Sequence, residues 1–401
     1  MRPFDGRRVL LGVTGGIASY KSAWLARLLT TAGADVDTIL TRAAREFIGA
    51  ITFEALTGRP VHTALLDEGH ALDHIKLARA AHAIVVAPAT ADFLARAAQG
   101  RADDLLTACL LAAEAPVLFV PAMNDRMWAH AQTRRNVAHL RELGYAVLDP
   151  DEGPLAAGEG SGPGRMPEPE TIFAHAGRLL ESDAAFDGRR IVITAGPTRE
   201  PLDPVRFLSN RSSGKMGIAL ASAAWRRGAR VTVIAGPLTA AVPPGVEHVA
   251  VETTEEMAAA VERSLTAADV LIMAAAPADF RAAQPAPRKI KKASAPSAIA
   301  LAEAPDILLS TRGARRNGLI VVGFALETDN ALAGGHEKLA SKDLDLIVVN
   351  DVTEPGAGFG VDTNRVTLID RQGAEDRLPL LTKADVADAI LDRVEAMLRG
   401  R

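Results

Sequence analysis

At 401 residues, with 48% hydrophobic residues and a formal net charge of −4, the chain can bury two ordinary cores and carries no basic footprint for nucleic acid. Its one cysteine, Cys109, excludes an intrachain disulfide and any zinc or iron–sulfur site built on cysteines. No apolar run reaches membrane-spanning length and the N-terminus lacks a signal-peptide pattern, so a soluble, cytoplasmic protein is expected.

The same opening occurs twice. Phe4-Asp5-Gly6-Arg7-Arg8-Val9 leads into an aliphatic run that ends at Gly12-Val13-Thr14-Gly15-Gly16, and Phe186-Asp187-Gly188-Arg189-Arg190-Ile191 into one that ends at Thr194-Ala195-Gly196-Pro197-Thr198. A charged lead-in, an aliphatic strand and a Gly-rich turn into a helix begin a nucleotide-binding α/β unit. In the first half, strands are predicted at Val9–Val13, Val36–Leu40, Ala83–Ala87 and Val117–Val120, with Ala- and Leu-rich helices such as Ser22–Ala32 and Leu94–Leu111 between them. Asp149–Pro169, dense in Gly and Pro, reads as a loop or lid, and a helix follows from Glu170 to Leu180.

The second half repeats the pattern. Strands are predicted at Ile191–Ala195, Val231–Ala235, Val270–Ala274, Leu319–Phe324, Leu346–Val349 and Val366–Ile369. Helices are predicted at Gly217–Arg227, Thr254–Ala267, Thr328–Lys342 and Lys383–Leu398, and Arg281–Pro296, with its prolines and the basic run Arg288-Lys289-Ile290-Lys291-Lys292, reads as a mobile segment. Continuous aliphatic strands alternating with helices predict an α/β protein with two doubly wound, mostly parallel-sheet, Rossmann-like domains, 1–181 and 189–401.

Such sheets bind ligands beyond the carboxyl ends of their strands. Gly15-Gly16-Ile17, Thr41-Arg42, Pro88-Ala89-Thr90 and Pro121-Ala122-Met123-Asn124 occupy those positions in the first half, and Gly196-Pro197-Thr198, Ala275–Asp279, Glu327 and Asn350-Asp351 in the second. Gly15-Gly16 reads equally as a phosphate cradle at a helix N-terminus or as the glycine any tight strand-to-helix turn needs, and the spacing is not G-x-G-x-x-G. His74 alone reads as a structural histidine and Asn124 alone as a helix cap. Met127 and Trp128 read equally as core packing and are assigned no chemistry, and Cys109 reads as an inert buried thiol.

In combination these residues say more. Val120-Pro121-Ala122-Met123-Asn124-Asp125-Arg126-Met127-Trp128, with His74-Ile75-Lys76-Leu77-Ala78-Arg79 and Val86-Ala87-Pro88-Ala89-Thr90-Ala91-Asp92, resembles the flavin-dependent cysteine decarboxylases. The resemblance implies a flavodoxin-like flavoprotein domain that holds FMN at Gly15, Gly16, Ile17, Thr41, Pro88, Ala89, Thr90 and Met123, with His74 and Asn124 catalytic. A carboxylate leaves as CO₂ only if the carbanion has an electron sink, and oxidation of a CH₂–SH to a thioaldehyde provides one. His74 is suited to accept the proton of that step, and the Asn124 amide to donate to the departing carboxylate.

Asp203-Pro204-Val205-Arg206-Phe207-Leu208-Ser209-Asn210-Arg211-Ser212-Ser213-Gly214-Lys215-Met216-Gly217 crowds hydroxyls, an amide and cations before a helix, as an anionic ligand requires; a polar loop capping that helix is the plain alternative. With Ala274–Phe280, Lys289–Lys292, Pro305-Asp306-Ile307-Leu308, Gly323–Thr328 and Asn350-Asp351, it resembles the CTP-dependent phosphopantothenate–cysteine ligases. That resemblance implies that Asn210 handles an acyl-cytidylate and that Ala274, Ala275, Asp279, Lys289, Pro305, Asp306, Ile307, Leu308, Phe324, Lys338 and Lys342 line the CTP site. Lys289 is also expected to act catalytically, and Mg²⁺ to accompany the triphosphate. Lys338 and Lys342, four residues apart, share one helix face.

From Val9 to Asp370 the order of motifs is similar to that of the bacterial bifunctional enzymes of coenzyme A synthesis, a phosphopantothenoylcysteine decarboxylase fused to a phosphopantothenate–cysteine ligase. The implied partners are phosphopantothenate, cysteine, CTP and phosphopantothenoylcysteine, and further copies of the chain as decarboxylase trimers and ligase dimers, with no nucleic acid and no membrane. Two positions depart from the pattern. The decarboxylase lid, here Ala156-Ala157-Gly158-Glu159-Gly160-Ser161-Gly162-Pro163-Gly164-Arg165-Met166, has Ala157 where the family has its proton-donating cysteine, and one extra residue. Asp92 stands where the family has Asn, replacing a donor by an acceptor. An active ligase with a merely flavin-binding, oligomerising first domain is therefore a second reading. A two-domain nicotinamide-dependent reductase is a third, opposed by the missing dinucleotide fingerprint.

Overall fold

The computed structural model describes residues 3–66, 72–156, 158, 160–181, 185–291, 298–327, 331–351, 358 and 360–400. The chain divides after Glu181 into two compact units.

The first unit opens with β1 (Arg8–Val13), α1 (Ser19–Thr31), β2 (Asp35–Leu40), α2 (Ala50–Thr57), β3 (Val61–His62) and α3 (Asp73–Ala80). It continues through β4 (Ala83–Ala89), α4 (Ala91–Ala98), α5 (Leu105–Ala112), β5 (Val117–Pro121), α6 (Asp125–Ala129), α7 (Ala131–Glu142) and β6 (Ala146–Val147). A hairpin of β7 (Asp151–Pro154) and β8 (Ser161–Arg165), then α8 (Pro169–Glu181), close it. The main sheet is parallel, in the order β3-β2-β1-β4-β5-β6. Its strands are apolar on both faces, because successive residues point to opposite sides and both sides are covered. Val9, Leu11 and Val13 pack with Leu25, Leu29 and Phe53 on one side; Leu10, Ile84 and Val86 pack with Phe93, Leu106 and Phe119 on the other.

The doubly wound class agrees with the sequence pattern, but the strand order is that of the dinucleotide folds, where flavodoxin has 2-1-3-4-5. Alternating hydrophobicity specifies strands and helices without specifying which strands are neighbours. The single helix predicted for Leu94–Leu111 is two, α4 and α5, because Asp104 accepts the Thr107 amide at 2.8 Å and starts a new helix with a reciprocal capping box. The Gly- and Pro-rich stretch predicted as a loop contains the antiparallel β7–β8 hairpin.

The second unit begins with β9 (Arg190–Ala195), β10 (Arg199–Pro201), β11 (Phe207–Ser209), α9 (Lys215–Arg226), β12 (Arg230–Ala235), β13 (Glu247–Ala250) and α10 (Thr254–Leu265). Then come β14 (Val270–Met273), β15 (Phe280–Ala282), β16 (Leu301–Glu303), α11 (Ile307–Ser310), β17 (Ile320–Glu327), α12 (Ala331–Ser341) and β18 (Leu346–Asp351). The unit ends with β19 (Thr363–Asn364), β20 (Val366–Asp370), β21 (Glu375–Arg377), β22 (Leu381–Thr382) and α13 (Lys383–Arg399). Its main sheet runs β13-β12-β9-β14-β17-β18-β20-β21, parallel up to β18 and antiparallel beyond it. The six parallel strands repeat the first unit's winding order, as the doubled opening in the sequence suggested. Residue 328, where the third helix of this half was predicted to start, lies outside the described residues.

Gly236, directly after β12, lies under the turn that follows β9; a Cβ there would stand 1.7 Å from the Pro197 carbonyl oxygen. Gly236→Ala is expected to destabilise the second unit by about 1–3 kcal/mol. In urea unfolding of the full chain, the second unit's transition should move to lower denaturant while the first unit's stays in place.

Candidate functional site

In the first unit the order of strands reverses between β1 and β4, which opens a crevice beyond their carboxyl ends. Thr14 ties its two sides together. Its hydroxyl donates to the Pro88 carbonyl at 2.8 Å and accepts the Thr90 amide at 3.1 Å. Thr90 in turn caps α4 by accepting the Phe93 amide at 3.2 Å. A Cβ on Gly15 would lie 2.4 Å from Ala43, in the turn after Thr41, whereas one on Gly16 would meet open space. Gly15 therefore serves packing, and Gly16 leaves its backbone approachable by a ligand at the start of α1. The predicted residues Gly15, Gly16, Ile17, Thr41, Pro88, Ala89 and Thr90 thus lie at three neighbouring strand ends. The Ala122 amide, donating to the Ala89 carbonyl at 3.2 Å, brings in the loop that carries Met123 and Asn124.

Asn124 is a helix cap: its Oδ1 accepts the Arg126 amide at 2.9 Å, which leaves its carboxamide nitrogen as the end that donates. His74 is the second residue of α3, a helix packed on α5 and β1. Its Nδ1 is buried with no hydrogen-bond partner among the described residues. A buried ring nitrogen in that state can be satisfied by a water or by a ligand.

The β7–β8 hairpin lies on the Met123–Asp125 loop. Met123 donates its amide to the Gly164 carbonyl at 3.0 Å. Gly164 has φ +153°, and a Cβ on it would stand 2.2 Å from the Met123 carbonyl oxygen. Lys21, which sequence reasoning missed, anchors the hairpin's base: this buried ammonium donates to the Met166 carbonyl at 2.7 Å and to Glu168 at 3.1 Å. Arg165 also pairs with Glu168, and Gly158 has φ +85°. Ala157 and Glu159 lie outside the described residues. The Asp92 carboxylate, 79% exposed, pairs on the surface of α4 with Arg96 at 3.1 Å, a guanidinium it shares with Asp103 and Asp104. Burial pushes the Cys109 thiol up to about 12, with Asp104 and Asp73 adding to the effect, as an inert thiol requires.

The second unit holds a cavity of about 590 Å³ beyond the carboxyl ends of its sheet. Its floor is the equivalent reversal point, between β9 and β14. Thr194 accepts the Ala275 amide at 3.1 Å and Thr198 the Ala278 amide at 2.9 Å, so hydroxyls again join the two sides. Ala274, Ala275, Asp279, Pro305, Asp306, Ile307, Leu308, Phe324, Lys338 and Lys342 all line this cavity, and so does Asn210. Both Asn210 side-chain N–H groups are committed, to the carbonyls of Ala276 at 3.2 Å and Pro277 at 2.9 Å. Asp306 starts α11, its Oδ1 accepting the Leu309 amide at 3.1 Å, and its other oxygen pairs with Lys342 at 2.8 Å. Burial opposes its ionisation, but Lys342 and the helix amides outweigh that and hold the carboxyl below its ordinary range.

Lys289 is the exception. It is exposed and does not line the cavity. The neighbouring Ile290 is held by the buried Asp203, whose Oδ2 accepts its amide at 3.1 Å, and by Arg206, which donates to its carbonyl at 2.7 Å. Despite its burial, Asp203 is kept well below the usual carboxylate range by Arg206 and by the amides of Val205, Ile290 and Arg206. Lys292 lies outside the described residues. Asn350, one of the strand-end residues of the sequence pattern, is 8% exposed at the end of β18 and lines the cavity, and its buried Oδ1 has no hydrogen-bond partner among the described residues. Lys215, from the polar run before α9, lines the same cavity, as does Lys383, which the sequence pattern did not single out.

Residues 2–180 match the family model described as Flavoprotein, and residues 186–398 the one described as DNA/pantothenate metabolism flavoprotein C-terminal domain. The chain is 47% identical to the Coenzyme A biosynthesis bifunctional protein CoaBC of Mycolicibacterium smegmatis, over 98% of this chain and 99% of that protein. It is 44% identical to the CoaBC protein of Bacillus subtilis, over 98% of each. A solved structure of the C-terminal domain of a CoaBC protein is 39% identical, with TM-score 0.47, and covers 55% of this chain and 100% of that one. The chain belongs to the family of bifunctional coenzyme A biosynthesis proteins.

As a member of that family it is an enzyme with two activities, a decarboxylase of the flavoprotein type and a ligase, and it uses a flavin cofactor. A first unit reduced to flavin binding and assembly is not favoured, since the similarity to bifunctional relatives runs over the whole length. No helix among the described residues is long and apolar enough to cross a membrane. Because the hairpin rests on a glycine with no room for a side chain, Gly164→Ala is expected to displace it from the Met123–Asp125 loop. Decarboxylation should slow by up to about 10²-fold with the ligase rate unchanged, both activities being measured on the same preparation.

Proposed function

We propose that residues 189–401 join 4′-phosphopantothenate to L-cysteine at the expense of CTP and that residues 1–181 decarboxylate the product with FMN, giving 4′-phosphopantetheine. The observation that carries this reading is that every predicted nucleotide residue except Lys289 lines one cavity with Asn210.

In the ligase cavity the substrate carboxylate attacks the α-phosphate of CTP, pyrophosphate leaves, and the acyl-cytidylate is formed. The cysteine amine then attacks the acyl carbon, forming the amide and releasing CMP. Two anions meet in the first step, so cations must neutralise the triphosphate. Lys338 and Lys342 are suited to this; Lys342 would exchange or share its partner Asp306. Among the described residues no cluster of three or more His, Cys, Asp or Glu forms a metal cage. Mg²⁺ would arrive on the triphosphate and take at most one or two carboxylates from the protein, from Asp279, Glu303 and Asp306 in the lining. Lys289 would act from the 281–291 segment if that segment closes over the nucleotide, with Asp203 and Arg206 as its hinge.

In the first unit the crevice at Gly16, with its open backbone approach at the start of α1, fits a phosphate-bearing flavin. When bound there, FMN supplies the two-electron oxidation that makes the carboxylate a leaving group. His74 would take a proton through its unsatisfied ring, Asn124 would orient the carboxylate through its carboxamide N–H groups, and the hairpin held by Lys21 would exclude water. With Ala157 in the lid, the final proton would come from Glu159 or from water.

Self-association is supported by exposed large apolar residues of the first unit: Tyr20 and Trp24, one turn apart on α1, Ile17 just before that helix, and Phe47 and Ile51. Trimers through the first unit and dimers through the second are the assembly proposed.

His74→Asn is expected to abolish CO₂ release and to leave CTP-dependent ligation intact; loss of both activities would count against independent sites. Asn210→Asp would set a carboxylate oxygen against the carbonyls of Ala276 and Pro277 where two N–H donors now sit. It should stall ligation at the cytidylate with flavin content unchanged, and mass spectrometry of a CTP, cysteine and phosphopantothenate mixture reads that outcome directly.

A further inference from the structure

Two lysines of the second unit make contacts that the proposed chemistry does not use. Lys383, the first residue of α13, is 7% exposed, yet it is among the residues that line the cavity. It donates to the carbonyls of Gly358, at 2.9 Å, and Val361. Lys215, the first residue of α9, donates to the Gly360 carbonyl at 3.2 Å and pairs with Asp362 at 2.7 Å. Residues 360–362 are thus strapped to the cavity by two side chains that come from separate helices. The strap has a hinge: β19, immediately after it, pairs with β22, and the Lys383 amide donates to the Asp362 carbonyl at 2.9 Å.

The balance of charge in this clasp is poor. Burial lowers the Lys383 amine below the ordinary lysine range, the adjacent Lys215 ammonium lowers it further, and Asp362 only partly offsets both. Asp362 itself is mostly exposed, so its attraction is screened by solvent. Carbonyl oxygens are neutral acceptors, whereas phosphate oxygens form charge-assisted bonds roughly twice as strong. The two ammonium groups also stand at the first residues of two helices, α9 and α13, whose N-terminal dipoles favour an anion.

We propose that Lys215 and Lys383 form a clasp that exchanges the strap's carbonyl oxygens for the oxygens of a phosphate ester, so that binding an anionic substrate at this end of the cavity releases residues 360–362. The identity of the ester rests on the ligase reading: it is either the triphosphate of CTP or the 4′-phosphate of phosphopantothenate. The exchange shifts the strap only because the ammonium groups bind charged oxygens better than neutral ones, which is the differential affinity a population shift requires. Asp362 adds to the effect, since its carboxylate is repelled by the incoming anion.

The test is amide hydrogen exchange of the full chain over residues 360–364, without ligand, with Mg²⁺·CTP, and with phosphopantothenate alone, with binding heat measured on the same samples. Exchange is expected to speed up several-fold with at least one ligand; the arm that responds identifies which ester the clasp meets. Lys383→Met and Lys215→Met should exchange fast at the outset and gain nothing from ligand, and Lys383→Arg, which keeps the charge, should keep the response. Unchanged or slower exchange in the wild type at saturating ligand, or a wild-type response in Lys215→Met, would overturn the clasp while leaving the ligase reading standing. If neither compound gives binding heat, the ligase reading fails and the clasp's ligand fails with it.

Discussion

Each unit depends on a hydroxyl bridge at the point where its sheet changes winding direction. A strand order of 3-2-1-4-5-6 sends the connections from the two central strands to opposite faces, and the backbone on either side of the resulting crevice loses its ladder partners. Thr14 in the first unit, and Thr194 with Thr198 in the second, accept the amides that would otherwise be orphaned across that gap. The bridges hold each crevice at a defined width without filling it. The loops that carry Asn124 and Asn210 adjoin those bridges, through the Ala122 amide on the Ala89 carbonyl and the Asn210 carboxamide on the Ala276 and Pro277 carbonyls.

Close backbone approach is the second requirement, and it explains why the loops look compositionally odd. At Gly164 and Gly236 the atom facing the glycine is another residue's carbonyl oxygen, so the close contact is between main chains, where no side-chain adjustment can make room. The Gly- and Pro-rich lid is therefore an ordered hairpin seated on the Met123–Asp125 loop. Its anchor, Lys21, is a buried ammonium, tolerable because a carbonyl and a carboxylate replace the water it gave up.

The ligase cavity is built from charges that are already partnered. Asp306 holds Lys342 while capping a helix, and Lys383 donates to the carbonyls of Gly358 and Val361. Unpaired buried charges would destabilise the fold. Carbonyl oxygens, as neutral acceptors, keep Lys383 ordered with weaker bonds than a charged acceptor forms. Asn350 stands apart, since its buried carboxamide oxygen has no partner among the described residues.

The sequence by itself determined the α/β class, the doubled architecture, the main strands to within a few residues at their ends, and a set of proposed nucleotide residues that, Lys289 apart, all line one cavity. Those properties are local: aliphatic runs, Gly-rich turns and motif order are written in contiguous residues, and strand ends in an open parallel sheet all come to one edge. Tertiary structure alone decided the winding order in place of the flavodoxin one, the split of the Leu94–Leu111 helix, the hairpin within the lid, and the withdrawal of Lys289 from the cavity lining. It also brought in Lys21 and Lys383, neither of which lies in a motif, and the contacts of Lys215 with residues 360 and 362. A buried lysine and a surface lysine are the same letter in sequence; which carbonyls replace its water is set by chain segments as much as 145 residues away, as for Lys21 and Met166, and no local pattern encodes that distance.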